Sequence, residues 1–448
     1  MKPIVAIVGR PNVGKSTFFN RVTRTKAALV DNAPGVTRDR HFGTARWDEI
    51  EFNLVDTGGI AGTDEFSLRI TSQVHLAIEE ADAIIFMMDG REGLSPFDQE
   101  IASLMRRVDK PIFFAVNKID GPEQEDRLSE FYSLGTDKFY PLSAEHRYGL
   151  NDLLDDLVEA LPVFQPSTTT DGELETVRLA VIGRPNVGKS SLINNILGEE
   201  RLLVSDIPGT TRDAVDTLCR IDERLYLLID TAGIRRKGKV SQKLEKFSII
   251  KALRSLERCD VALVIIDAHE GITDQDITIA GYAHDRGCGC IFLLNKWDLI
   301  QKDQNTHRHY TQALKEKAKF LSFAPALTVS ALTGQRITKI FGLVDAVYHQ
   351  YGTRVGTGRL NKVFEEAVEH NTPSLHRGRR IKFFYSTQIS IKPPTFVCFV
   401  NYPDAVHFSY HRYLVNCLRK ELGLDLTPIR LFFRIRKRRE TTSRKRKK

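Results

Sequence analysis

Through the first 162 residues, continuous apolar runs at 4–8, 51–55, 83–89, 111–116 and 138–142 alternate with stretches whose apolar positions recur at helical spacing. Unbroken apolar runs suit strands buried on both faces. Their alternation with helices predicts right-handed βαβ units around a doubly wound, mostly parallel sheet. The same rhythm returns between 176 and 350, with strand-like runs at 179–182 and 225–229. Beyond Leu360 it changes: 361–370 and 405–422 read as helices, and 381–391, 396–400 and 429–435 as strands. Two helices against three strands predict a small α+β domain. The expected organisation is an α/β domain at 1–162, a linker at 163–175, a second α/β domain at 176–350, the small domain at 351–436 and a basic disordered tail at 437–448. The linker stretch holds Pro166 and four Ser/Thr residues without apolar periodicity.

Within this pattern the octapeptide Gly9, Arg10, Pro11, Asn12, Val13, Gly14, Lys15, Ser16 recurs without change as Gly183, Arg184, Pro185, Asn186, Val187, Gly188, Lys189, Ser190, 174 positions later. Each copy satisfies GxxxxGK[ST], follows an apolar strand and opens a helix. Its glycines let backbone N–H groups turn inward around phosphate oxygens. Lys15 and Lys189 would reach the outer phosphates as catalytic cations, and the Ser16 and Ser190 hydroxyls would ligate Mg²⁺. The repeat extends further. Asp56, Thr57, Gly58 and Gly59 precede Asp230, Thr231, Ala232 and Gly233 by the same 174, as does Pro34-Gly-Val-Thr-Arg-Asp39 relative to Pro208-Gly-Thr-Thr-Arg-Asp213. Asp56 and Asp230 end strands where a carboxylate can hold Mg²⁺ through water, and Thr37 and Thr211 would complete the metal shell and the catalytic set. Gly59 and Gly233 leave room for a backbone N–H beside a γ-phosphate. A period this long means duplicated whole domains, not a solenoid.

Asn117, Lys118, Ile119, Asp120 and Asn295, Lys296, Trp297, Asp298, now 178 apart, identify the base. Guanine presents adjacent donors at N1 and N2 that one carboxylate accepts together. Adenine offers an acceptor at N1 and nothing at C2, which would leave Asp120 or Asp298 unpaired. Asn and Lys should brace the phosphate loop and cover the base. Ser143-Ala144 and Ser330-Ala331 would offer backbone N–H groups to the guanine oxygen. The residue after each Asp-x-x-Gly, where many GTPases carry Gln to orient water, is Ile60 or Ile234. An aliphatic side chain cannot align water, so a low intrinsic hydrolysis rate is expected. In the second repeat Arg235-Arg-Lys-Gly-Lys239 follows directly.

Charge separates the ends of the chain. Residues 351–448 hold 22 Lys and Arg against 7 Asp and Glu, a net +15, while the whole chain carries +8 and the first 350 residues therefore −7. That asymmetry implies a polyanionic partner for the C-terminal part. Arg377, Arg379, Arg380, Lys382, Phe383 and Tyr385 combine basic and aromatic side chains there. Six scattered cysteines without zinc spacing read as reduced thiols. No apolar run reaches a membrane span and no leader precedes the first strand, so a cytoplasmic protein without membrane contact is expected. No catalytic cysteine constellation or further cofactor site is visible, which disfavours an RNA-modifying enzyme driven by the nucleotide sites. A protein-binding regulator whose small domain never touches RNA is the other alternative.

Two nucleotide domains opening on Gly-Arg-Pro-Asn-Val-Gly-Lys-Ser, followed by a small basic domain, closely resemble the EngA (Der) family of bacterial double GTPases that act in ribosome biogenesis. The resemblance covers nearly the whole chain. It implies two tandem P-loop GTPase domains, a KH-like C-terminal domain, binding of GTP and GDP, and action on the large ribosomal subunit through rRNA, by a monomer. It also implies a bound K⁺ held partly by Asn12 and Asn186. Residues 351–448 contain no GxxG, the loop that clamps nucleic acid in RNA-binding KH domains.

Overall fold

The computed structural model describes residues 2–23, 42–48, 50–57, 78, 81–106, 108–136, 138–162, 176–198, 203–208, 215–221, 224–231 and 249–435. The expected linker at 163–175 and the basic tail lie outside these residues. The described residues fall into two compact units. One takes those up to Pro162 together with 249–257, and the other takes 176–231 and 258–435.

In the first unit, β1 (Ile4–Val8), β2 (Phe42–Trp47), β3 (Ile50–Asp56), β4 (Ala83–Asp89), β5 (Ile112–Asn117) and β6 (Phe139–Leu142) form one sheet in the order β2-β3-β1-β4-β5-β6. Every neighbouring pair is parallel except β2 and β3. β1 and β4 are buried at every residue, as their unbroken apolar runs require. On one face Val5, Ile7, Leu54 and Met87 pack with Phe18 and Val22 of α1 (Lys15–Thr23) and Leu153 and Leu157 of α3 (Leu150–Ala160). The alternate residues Ile4, Ala6, Ile84 and Phe86 are buried on the other face, and α2 (Pro96–Met105) buries Ile101 and Met105. Each of the larger of these side chains, the Val, Leu, Ile, Phe and Met residues, contributes about 1.5–3 kcal/mol relative to exposure.

The second unit repeats this plan. β7 (Val177–Gly183), β8 (Leu203–Pro208), β9 (Val215–Ile221), β10 (Arg224–Ile229), β11 (Val261–Asp267), β12 (Gly289–Asn295) and β13 (Ala326–Thr328) run in the order β13-β12-β11-β7-β10-β9-β8. β8, β9 and β10 form an antiparallel meander, and the other pairings are parallel. Helices α4 (Lys189–Gly198), α5 (Ile249–Arg258, divided between the units after Glu257), α6 (Asp274–Arg286), α7 (Thr306–Lys317) and α8 (Thr338–Tyr351) follow the strands.

The same unit carries the small α+β domain. β14 (Phe383–Ser390), β15 (Thr395–Val400) and β16 (Arg430–Ile435) make a three-stranded sheet with β15 central, antiparallel to β14 and parallel to β16. α9 (Thr357–His370) and α10 (Phe408–Leu422) cover one face, where Leu360, Phe364, Leu414 and Leu418 meet Phe396, Cys398 and Leu431. The helix expected at 405–422 starts only at Phe408. Pro403–Ala405 forms a separate 3₁₀ turn, and the His407 side chain caps α10 by accepting from Ser409 N–H.

This domain is fixed to the end of the larger sheet away from the phosphate loop. Gln350, near the C-terminus of α8, donates to Asp425 Oδ1 at 2.7 Å and accepts from Leu426 N–H at 2.7 Å. Arg430 donates to Asp285 O at 3.1 Å, and Lys392 N–H to Tyr351 O at 3.0 Å. The Arg419 guanidinium lies 4.1 Å from the Phe323 ring centroid, and burial pulls its pKa down to about 10. Asp285 and Tyr351 sit at helix C-termini, beside the N-terminal ends of β11 and β12, whereas Gly183 ends β7 at the opposite edge.

Candidate nucleotide-binding sites

Both octapeptides form the turn between a strand and a helix: β1 to α1 and β7 to α4. Gly14 and Gly188 hold φ of +98° and +100°, and a Cβ at either would stand 2.2 or 2.3 Å from the Asn117 or Asn295 side-chain nitrogen. Backbone freedom and close approach both demand glycine there. Asn12 and Asn186 adopt left-handed φ of 66° and 63° on exposed positions, a conformation asparagine tolerates better than most residues.

Lys15 Nζ donates to Gly9 O at 2.7 Å and Arg10 O at 2.6 Å, and Lys189 Nζ to Gly183 O at 3.1 Å and Arg184 O at 2.6 Å. The two ammonium groups are thus held over the rims of their own loops. Burial lowers the Lys15 pKa to about 8, against the opposing pull of Asp56 and Asp98. Ser16 Oγ donates to Asp56 Oδ2 at 2.7 Å, bringing a hydroxyl and a carboxylate to one point. That pair of hard oxygen donors suits Mg²⁺. Asp230 stands at φ 59° with its N–H on Asp216 Oδ1 at 3.0 Å. Thr57 donates to Ile7 O at 2.8 Å, and Thr231 bonds Thr217 at 2.6 Å.

The base side is tied directly to the phosphate side. Asn117 Nδ2 donates to Val13 O at 2.7 Å and Asn295 Nδ2 to Val187 O at 2.7 Å, and both are buried. The same side chains accept from Ala144 N–H at 2.9 Å and Ala331 N–H at 2.8 Å. Ser143 and Ser330 N–H donate to Tyr148 O and Gln335 O. The N–H groups expected to meet the guanine oxygen therefore already serve the loop, and a base oxygen at Ala144 or Ala331 would share the donor with Asn. Asp120 accepts from Ser143 Oγ at 2.8 Å and from Arg91 at 2.7 Å, and these two bonds lower its pKa. Among the described residues, Asp298 Oδ1 is buried without a hydrogen-bond partner. Ile119 and Trp297 are buried beneath these loops. Thr37, Gly58, Gly59, Ile60, Thr211, Ala232, Gly233, Ile234 and the basic segment 235–239 lie outside the described residues.

Two further pairs belong to each site and were not anticipated. Lys118 and Lys296, at φ 68° and 59°, form ion pairs with Asp89 and Asp267 at the ends of β4 and β11. Arg10 and Arg184 reach the buried carboxylates Asp98 and Asp276, at 3.6 and 2.7 Å, and also Glu92 and Glu270. Asp98 and Asp276 are the third residues of capping boxes with Ser95 and Thr273 at the starts of α2 and α6. The signal was present: Asp89, Glu92, Gly93 and Asp98 precede Asp267, Glu270, Gly271 and Asp276 by the same 178 that separates the Asn-Lys-x-Asp motifs.

The lowered Lys15 pKa gives a measurable linkage. Phosphate contact favours the ammonium form, so nucleotide binding at the first site should draw in a proton where free Lys15 is half deprotonated. Titration calorimetry near pH 8, in buffers of different ionisation enthalpy, should show about half a proton taken up per nucleotide at that site. Affinity there should fall as pH rises through 8. No uptake would mean that Lys15 does not face phosphate.

The residues 4–118 and 178–296 match a family described as a 50S ribosome-binding GTPase, and 354–434 match the KH-domain-like C-terminal family of EngA bacterial GTPase enzymes. The chain is 56% identical to GTPase Der of Desulforapulum autotrophicum, over 97% of this chain and 90% of the relative. It is 53% identical to GTPase Der of Geobacter metallireducens, over 98% of this chain and all of that one. Among solved structures, Era in complex with MgGDPNP and nucleotides 1506–1542 of 16S ribosomal RNA is 23% identical, spanning 58% of this chain and 93% of that chain, at a TM-score of 0.30 too low to carry an argument. With both GxxxxGK[ST] loops, both Asn-Lys-x-Asp motifs and the small basic domain in place, and relatives matched end to end at this identity, the chain belongs to the Der (EngA) family of bacterial GTPases.

Proposed function

We propose that this GTPase is a cytoplasmic, monomeric switch in maturation of the large ribosomal subunit, and that its C-terminal domain meets rRNA. The observation that carries this reading is the exposed surface at 377–385. Arg377, Arg379, Arg380 and Lys382 are all exposed there beside Phe384 and Tyr385, in a region of net +15. Tyr385 stacks on Phe399 at 4.4 Å and presents its outer face to solvent. Stacking and phosphate contact from such a surface suit structured RNA without a GxxG clamp. The family descriptions of EngA and of a 50S ribosome-binding GTPase support the same partner.

In each site, Asp120 or Asp298 reads guanine, and Lys15 or Lys189 holds the outer phosphates. Ser16 with Asp56, and Ser190 with Asp230, would hold Mg²⁺, joined by Thr37 and Thr211. The metal would neutralise charge developing on the transferred phosphoryl group. Ile60 and Ile234 offer no water-orienting group, so intrinsic turnover is low. Asn12 and Asn186 would place K⁺ beside the phosphates to supply the missing positive charge. Steady-state hydrolysis should then be at least about tenfold faster in KCl than in NaCl at equal ionic strength. Asn12→Ala with Asn186→Ala should remove the difference, whereas equal rates in the two salts for the unmodified protein would end the potassium reading.

The test of the ribosomal reading is replacement of Arg377, Arg379, Arg380 and Lys382 by Glu. Binding to large subunits should fall by at least about tenfold, with nucleotide affinity unchanged. Unchanged subunit binding would move the contact elsewhere.

A further inference from the structure

The two base pockets are not equivalent, and one residue accounts for the difference. Arg91 lies two residues beyond Asp89, on the loop between β4 and α2. Its guanidinium donates to Asp120 Oδ2 at 2.7 Å, while Oδ1 is engaged by Ser143. The duplicated position, 178 residues on, is His269. There the loop has the same anchor: Asp267 Oδ1 accepts from His269 and Glu270 N–H, as Asp89 Oδ1 does from Arg91 and Glu92 N–H. His269 is exposed, and among the described residues Asp298 keeps a buried oxygen without a hydrogen-bond partner.

We infer that Arg91 is a gate on guanine entry to the first site, competing with the base for the carboxylate that reads it, and that the second site lacks this gate. The inference rests on Asp120 reading guanine. The guanine edge needs both Asp120 oxygens, and the guanidinium already occupies the Oδ2 end of the carboxylate, so base and Arg91 compete for it. A place to go exists. Arg91 also borders a cleft of about 770 Å³ lined by Glu92, Gly93, Gln124, Arg127 and Glu130; Glu92 is already paired with Arg10, but the Glu130 carboxylate can receive a displaced guanidinium. Arg91 is 58% exposed and Asp120 25%, so the pair is solvent-screened and the gate is light. It slows entry without closing the site.

The signature is kinetic. Because the competition precedes docking, removing Arg91 should accelerate association and leave dissociation unchanged. Stopped-flow binding of N-methylanthraniloyl-GDP to the full-length chain, with the second site silenced by Lys189→Ala, reads the first site alone. Arg91→Ala and Arg91→His should each raise the association rate about two- to fivefold, the range an exposed ion pair supports. The gain should shrink toward unity in 1 M salt, where exposed charges are screened. In the reciprocal protein, silenced by Lys15→Ala, His269→Arg should slow entry to the second site by a similar factor. An unchanged association rate in the Arg91 variants, or a faster dissociation rate showing that Arg91 holds the bound base, overturns the gate. Asp120→Asn separates this from failure of the underlying reading: if that substitution leaves first-site binding intact, Asp120 does not read guanine and the gate falls with it.

Discussion

Asp298→Asn is expected to turn the second site from guanosine to xanthosine nucleotides and leave the first site as it was. In the proposed site the carboxylate would accept from guanine N1–H and N2–H. An amide presents its nitrogen as a donor against one of them and leaves that guanine donor unpaired. Xanthine carries a carbonyl at C2, which accepts from the same amide. Loss of two charge-assisted bonds costs about 3–6 kcal/mol, so GDP affinity at the second site should fall roughly 10²- to 10⁴-fold. Xanthosine diphosphate should recover most of it. Independence of the first site follows from locality: Asn295, Ser330 and Ala331 bond within the second motif set, and Asn117, Ser143 and Ala144 within the first. Calorimetric titration should resolve one lost and one retained site. Equal loss at both sites would defeat that independence.

Lys15→Ala together with Lys189→Ala should abolish GTP hydrolysis, and each single substitution should silence only its own domain. Each ammonium sits within 3.1 Å of two carbonyls of its own loop. It is therefore fixed before phosphate arrives and costs little reorganisation in the transition state. Removal of one preorganised stabilising group of this kind costs about 10²- to 10³-fold in turnover. With Ile60 and Ile234 supplying no substitute, little activity remains to be measured. Phosphate release by the double variant at the rate of the unmodified protein would show that the sites are misplaced.

Much of this was legible in the sequence because the relevant residues sit where strand, turn and helix are obligatory. β1 and β4 are unbroken apolar runs, and a strand buried on both faces leaves that trace. The left-handed backbone at Asn12 and Asn186 is a local consequence of the octapeptide. What escaped was less local. The antiparallel edge strands β2 and β8, and β9 beside β8, have a mixed polar and apolar composition that gives no continuous run. The Arg10–Asp98 and Lys118–Asp89 pairs join residues that only the sheet order β1-β4-β5 brings together. The first turn of α10 was overestimated because apolar spacing continues through Ala405, while Pro403 and the His407 cap impose a break that periodicity does not register. Arg91 looked like an ordinary surface arginine, and only its distance to Asp120 gives its difference from His269 a meaning.

The central claim is a nucleotide-controlled switch that holds the large ribosomal subunit through its basic C-terminal part. Co-sedimentation of the full-length chain with purified large subunits, at 50 and 200 mM KCl, with GDP or a non-hydrolysable GTP analogue, tests it most directly. The account predicts affinities for the two nucleotide states that differ by about tenfold, and a loss of about 10³-fold or more between the two salts. Removal of 436–448, which carries nine of the 22 Lys and Arg in that region, should flatten the salt dependence. Equal affinity in both nucleotide states, with a salt response unchanged by that removal, would contradict it.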